Sequence, residues 1–137
     1  MTTLDRFLET KKLHKKEITF LKIDVERLDF LVIKGASRVF DEQLVQLGQY
    51  EYITGAIDLI EITVWLKQRG YASYLLFGHR ELLRLDGLST DAIKRVGNKI
   101  AQLNVLFART RTKDRCVSRA LASYVGKTAL FPYKCFH

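Results

Sequence analysis

Ile18-Thr-Phe-Leu-Lys-Ile-Asp-Val25 is an apolar, β-branched run broken by single polar residues, the pattern of a strand buried on both faces. It predicts a strand at the centre of a sheet. Behind it, Leu28, Phe30, Leu31, Val32 and Ile33 lead into Lys34-Gly35-Ala36, where glycine suits the left-handed conformation that closes a helix. Leu44 to Ile53 then reads as a second strand, carrying Tyr50, Glu51 and Tyr52 toward its carboxyl end. Strand, crossover helix and strand make a unit whose two strands run parallel.

Working outward, Thr3 is a candidate N-cap for a short helix with Leu4, Phe7 and Leu8 on one face, and Lys11 to Glu17 is a polar connection. Downstream, Asp58 with Glu61 three residues later has the form of a capping box. Leu59, Ile62 and Leu66 mark the buried face of the helix it opens, which ends before Gly70. Tyr71 to Phe77 and Glu81 to Leu85 read as an antiparallel pair around Gly78-His79-Arg80, closed by Asp86-Gly87. A helix from Thr90 to Val96 is expected to stop at Gly97, and Asn104-Val-Leu-Phe-Ala108 supplies a last strand. The alternation predicts an α/β fold with a mostly parallel sheet and an antiparallel last strand.

The 137 residues hold 23 Lys+Arg and 15 Asp+Glu, a net charge of +8. With 28% charged residues and a single proline, a disordered or collagen-like chain is excluded. No stretch approaches the roughly 20 apolar residues of a spanning helix. Met1-Thr-Thr-Leu-Asp-Arg6 carries no apolar leader, so the expected compartment is the cytoplasm. Residues 1 to 108 hold 16 basic and 14 acidic side chains, whereas 109 to 137 hold 7 and 1. Basicity gathered in one short segment reads as a solvated terminus rather than a phosphate-binding face, which argues against a nucleic-acid partner. Cys116 and Cys135 stand 19 positions apart without metal-ligand or redox spacing, so both are expected as free thiols.

In open α/β sheets, ligands bind beyond the carboxyl ends of the strands. Asp24 and Glu26 occupy that end of the first strand and Glu51 that of the second, so three carboxylates are expected to converge. They could hold a divalent cation, orient a substrate hydroxyl or act as its general base. The plainer alternative pairs Glu26 with Arg27 or Lys22 and lets Asp24 cap the following turn.

Phe20-Leu-Lys-Ile-Asp-Val-Glu26, Val32-Ile-Lys-Gly-Ala36 and Gln49-Tyr-Glu-Tyr52, preceded by Thr3-Leu-Asp-Arg-Phe7, resemble in order and spacing the FkbM family of S-adenosylmethionine-dependent methyltransferases. The resemblance runs from Thr3 to Arg109. It implies the carboxyl-terminal half of a Rossmann-like class I methyltransferase fold over residues 1 to 109, followed by a basic tail, 110 to 137. It also implies S-adenosylmethionine as cofactor, O-methylation of a small-molecule or glycan-like acceptor, and a place beside the cofactor and substrate cleft for Asp24, Glu26 and Glu51.

Two departures qualify the resemblance. Arg27 stands where the family has glycine, and the eight glycines include no G-x-G pair. A domain truncated on its amino-terminal side is therefore expected, its first strand an unpaired apolar edge. Such an edge calls for a complementing polypeptide or self-association. The alternative function is a non-catalytic module that pairs with another chain through that edge and the basic tail. Among lesser candidates, His79 reads as a solvated loop residue and Trp65 as packing, while Tyr50 and Tyr52 read as core or cleft wall. Val117, Leu121 and Tyr124 are spaced for a short amphipathic helix in the tail.

Overall fold

Thr3 has extended backbone, and its hydroxyl accepts the Arg6 N–H at 3.3 Å, opening α1 (Leu4–Thr10) as its capping chemistry requires. The computed structural model describes residues 2–55, 58–77 and 81–111. Leu8 is buried, but Phe7 is 45% exposed, contrary to the expected apolar face. The reason is Asp5. Its carboxylate accepts the N–H groups of Arg38 at 2.9 Å and Val39 at 3.2 Å, capping from outside a helix whose own N-cap, Ala36, has no side-chain acceptor. Turning Asp5 and Leu8 inward, three residues apart, leaves Phe7 outward.

The expected crossover helix is two short ones, α2 (Asp29–Lys34) and α3 (Ser37–Asp41). Gly35 is right-handed, at φ −72° and ψ −2°, rather than left-handed. It is a close-contact glycine, since a Cβ there would lie 3.3 Å from both the Leu31 carbonyl oxygen and Thr3 Cγ2. The chain passes straight through Ala36 into α3.

Among the described residues, five strands form one sheet: β1 (Ile18–Lys22), β2 (Val45–Ile53), β3 (Tyr71–Phe77), β4 (Glu81–Arg84) and β5 (Gln102–Arg109), in the order β1-β2-β5-β3-β4. The expected adjacency of β1 and β2 holds, parallel and in register from Ile18 opposite Val45 to Lys22 opposite Gln49. The run at Ile18 alone predicts the centre of a sheet, but β1 lies at the edge among the described strands, as expected of a domain truncated on its amino-terminal side, and Phe20 is 43% exposed. Contrary to expectation, the sheet is not mostly parallel in its pairings, since β5 runs antiparallel to both β2 and β3 and lies between them. The physical reason is burial on both faces. Val105-Leu-Phe-Ala108 is buried without a break, and β2 has no exposed residue, alternating buried with half-buried ones; those two strands occupy the interior that the Ile18 run was expected to fill.

α4 (Leu59–Gln68) begins as its sequence requires, with Asp58 Oδ1 accepting the N–H groups of Ile60 and Glu61 at 2.9 and 3.1 Å. The box is half formed. Glu61 turns instead to Lys34, 2.7 Å away, and so links α4 to the end of α2. α5 (Thr90–Asn98) runs through Gly97 rather than stopping there. Glycine is needed at that point because a Cβ would lie 2.9 Å from the Tyr52 hydroxyl, which donates to the Gly97 carbonyl at 3.2 Å.

The main core packs the helices on one face of the sheet. At its centre the Phe40 ring meets Trp65, Tyr71 and Phe107 with centroids 5.3–5.4 Å apart. A smaller cluster on the other face joins Leu47, Ala72, Tyr74, Leu106 and Ala108. No helix among the described residues is long and apolar enough to cross a membrane.

Candidate functional site

The carboxyl end of β1 turns sharply, and two consecutive residues carry the turn in the left-handed region, Glu26 at φ +46° and Arg27 at φ +76°. For residues with a Cβ this conformation is strained by about 1–2 kcal/mol each. Arg27→Gly is therefore expected to stabilise the chain by about 1 kcal/mol, the relieved strain less glycine's greater unfolded-state entropy. A rise in the urea midpoint at unchanged m-value would register it, and a fall would show that the Arg27 side chain stabilises the turn by contacts of its own.

At the strand ends, two of the expected carboxylates, Asp24 and Glu51, act on the same Lys22 side chain. Asp24 pairs with Lys22, Nζ to Oδ2 at 2.9 Å, rather than capping the turn. That hydrogen bond and charge, with Glu51 adding, push the Lys22 ammonium above its ordinary value. Glu51 lies on β2 and accepts from the Gln102 side chain. Glu26 is exposed and makes no ion pair with Lys22 or Arg27. Asp24 and Glu51 thus both act on the Lys22 ammonium, and Glu26 is not among the charges that do. Among the described residues, no three His, Cys, Asp or Glu side chains are placed to hold a metal ion.

Asp29, at the start of α2, was not among the expected site residues, yet it stands directly behind them. Its side chain is fully buried, its Oδ1 accepts the Glu51 N–H at 3.3 Å, and its Oδ2 has no hydrogen-bond partner. Burial pushes its carboxyl above the usual range, and the Glu51 charge adds to this against the opposing pull of the backbone N–H groups of Glu51, Asp29 and Val25. β1 ends opposite Gln49, so beyond that point the Asp29 carboxyl stands where β2 would otherwise have a strand. The sequence offers one faint signal of this, an acid in the first turn of an apolar helix, and thousands of ordinary surface helices share it.

Beyond Glu51 the end of β2 opens into a cleft of about 440 Å³, lined by Tyr52, Thr54, Asp58, Leu59, Ile93 and Lys94 among others. Tyr52 is therefore both core and cleft wall. Tyr50 is wholly core, its hydroxyl buried and unpartnered. Trp65 packs edge-on against Phe40 and carries the Arg69 guanidinium 3.7 Å above its ring. His79, Cys116, Cys135 and the tail helix expected at Val117, Leu121 and Tyr124 lie outside the described residues.

No curated protein and no solved structure matches the chain. The family model of the methyltransferase FkbM domain matches residues 1–73, more than half of the 137 residues. The match takes in α1 through α4, both strands bearing the candidate carboxylates, and the first residues of β3; the rest of the β3–β4 hairpin and β5 lie beyond it. On that match, which includes the Asp24-Val-Glu26 turn and Glu51, the chain belongs to the FkbM methyltransferase family.

Proposed function

We propose that the chain works as an S-adenosylmethionine-dependent O-methyltransferase unit, residues 1 to 109, acting on a small-molecule or glycan-like hydroxyl, with the basic segment 110 to 137 outside it. The observation that carries this reading is the family match over residues 1–73, which takes in Asp24, Glu26 and Glu51 on two adjacent parallel strands and the turn after the first. The cofactor presents hydroxyl and ammonium donors, and these carboxylates are acceptors of matching chemistry. Among the described residues, a glycine cradle is not part of the fit. Gly35, Gly48, Gly70 and Gly97 each meet a neighbour within 3.4 Å, whereas Gly55 and Gly87 face open space.

When bound, the cofactor supplies a methyl group activated by its sulfonium. Asp24 and Glu26 would accept hydrogen bonds from its polar edge, with Lys22 orienting the Asp24 carboxylate. Glu51 would take the proton of the acceptor hydroxyl while the methyl group passes from sulfur to that oxygen and the cofactor leaves as the neutral thioether; rate acceleration would come from proximity and proton removal. Calorimetric titration of the full chain with S-adenosylmethionine is the test. Saturable micromolar binding, ~8 kcal/mol, is expected, and a folded chain that gives no heat of binding overturns the reading.

Asp24→Asn is expected to weaken that affinity while leaving the urea midpoint almost unchanged, because an exposed pair such as Lys22–Asp24 contributes only about 0–1 kcal/mol to stability. Equal losses of binding and stability would make Asp24 structural. A second reading is favoured by the outermost position of β1 among the described residues. An outer strand is a template for pairing with a further chain, so the unit would act as a module completed by a complementing polypeptide or a second copy. Sedimentation showing a stable, folded monomer that binds no added polypeptide would remove this reading.

A further inference from the structure

We propose that Asp29 is a positioning residue of the candidate site, its buried carboxyl clamping the start of α2, just past the Asp24–Glu26 turn, to the Glu51 peptide of β2. What the site does rests on the methyltransferase reading; the clamp itself rests on geometry. The Oδ1 atom accepts the Glu51 N–H at 3.3 Å, and Asp29 is the first residue of α2, three positions after Glu26. One side chain thereby holds the segment that follows Asp24 and Glu26 against the strand that carries Glu51.

Asp29 is fully buried, its Oδ2 is unpartnered, and none of the ion pairs among the described residues includes it. Burying an acid without a counter-charge is unfavourable. What the carboxyl supplies in return is an acceptor just where β2 has lost its neighbouring strand. Two titratable groups face it, both from β2: Glu51, whose charge opposes ionisation of Asp29, and Tyr50, whose buried hydroxyl is pushed up in part by Asp29.

The sign of the pH dependence follows. Because the folded-state pKa is raised above the unfolded value, the contribution of Asp29 to stability is full below the unfolded pKa and is lost as pH rises through the folded one. Asp29→Asn keeps the Oδ1-type acceptor and cannot ionise. Relative to that variant, the wild-type chain is expected to lose stability from acid toward neutral pH.

The experiment compares the full wild-type chain with Asp29→Asn and Asp29→Ala by amide hydrogen exchange, urea unfolding across pH, and calorimetric titration with S-adenosylmethionine. Asp29→Ala is expected to speed exchange at Glu51 roughly tenfold beyond any change at Leu75 in β3, the worth of one hydrogen bond to a buried group. Its cofactor affinity is expected to fall by roughly the same factor, and Asp29→Asn is expected to restore both. Uniformly faster exchange in Asp29→Ala, or cofactor affinity unaltered by it, overturns the clamp. Should Asp29→Ala fail to fold, the pH profile of Asp29→Asn decides, and one parallel to wild type overturns the proposal. A wild-type chain that binds no cofactor overturns the methyltransferase reading instead, and the exchange contrast then decides the clamp alone.

Discussion

Replacing Gly48 with alanine is expected to cost on the order of 3 kcal/mol and to loosen β1 from the sheet. Gly48 lies in the middle of β2, opposite Phe107 of β5. A Cβ at this position would lie 2.6 Å from the Phe107 ring carbon Cε2, with Cζ nearer still, and 2.7 Å from the Leu21 carbonyl oxygen. The ring has little room to retreat, being packed against Phe40, Tyr50 and Tyr71. The carbonyl belongs to β1 and moves only if that strand moves. Urea unfolding of the variant measures the loss. A Gly48→Ala, Phe107→Ala pair should be less destabilised than the sum of its parts, since removing the ring relieves one of the two collisions. A single-variant loss below about 1 kcal/mol would show that β1 and the ring have slack that close-packed interiors seldom offer.

Phe40→Ala is expected to be costlier still, about 3–5 kcal/mol. Phe40 is fully buried and sits on α3, a helix of five residues, far too short to persist without tertiary support. Its ring makes edge contacts with Trp65 of α4 and Tyr71 of β3 and a tilted one with Phe107 of β5, so one side chain ties a fragile helix to three other elements. Against a total stability of roughly 5–15 kcal/mol, that loss threatens the fold. Phe40→Leu, which keeps most of the volume, should lose noticeably less. Equal destabilisation by leucine and alanine would mean that ring geometry, not volume, holds α3.

What could be read from the sequence was local. Asp58 as N-cap, Leu59, Ile62 and Leu66 facing inward, and the pairing of Tyr71–Phe77 with the strand at Glu81 all follow from side chains a few positions apart, and all stand in the structure. So does the parallel neighbourhood of β1 and β2. Sheet order was not legible, because the run at Ile18 and the run at Asn104 are alike in composition and only their competition for burial places one at the edge and the other inside. Gly35 and Gly97 misled for a related reason. Each answers to a contact made across the fold, with Thr3 and Tyr52 respectively, rather than to the end of a helix. In the candidate site, Asp24, Glu26 and Glu51 were legible as candidates because they stand at or just beyond strand ends. Lys22 between the charges of Asp24 and Glu51, and Asp29 buried at the start of α2, depend on which way the β1–α2 turn folds, and no local pattern encodes two successive left-handed residues without a glycine.

The place of β5 sets the order in which this protein can be assembled. As the chain leaves the ribosome, β1 can meet β2 and β3 can meet β4, but the two pairs share no hydrogen-bonded edge. They remain separate hairpin-sized pieces, each with bare flanks, until Gln102–Arg109 emerges and slots between them, its ladder running from Ile53 opposite Gln102 to Tyr71 opposite Arg109. Contacts so distant along the chain are slow to form, and exposed flanks invite aggregation in the interval. β5 therefore acts as a keystone, and the newborn protein is most vulnerable in the moments before that strand emerges.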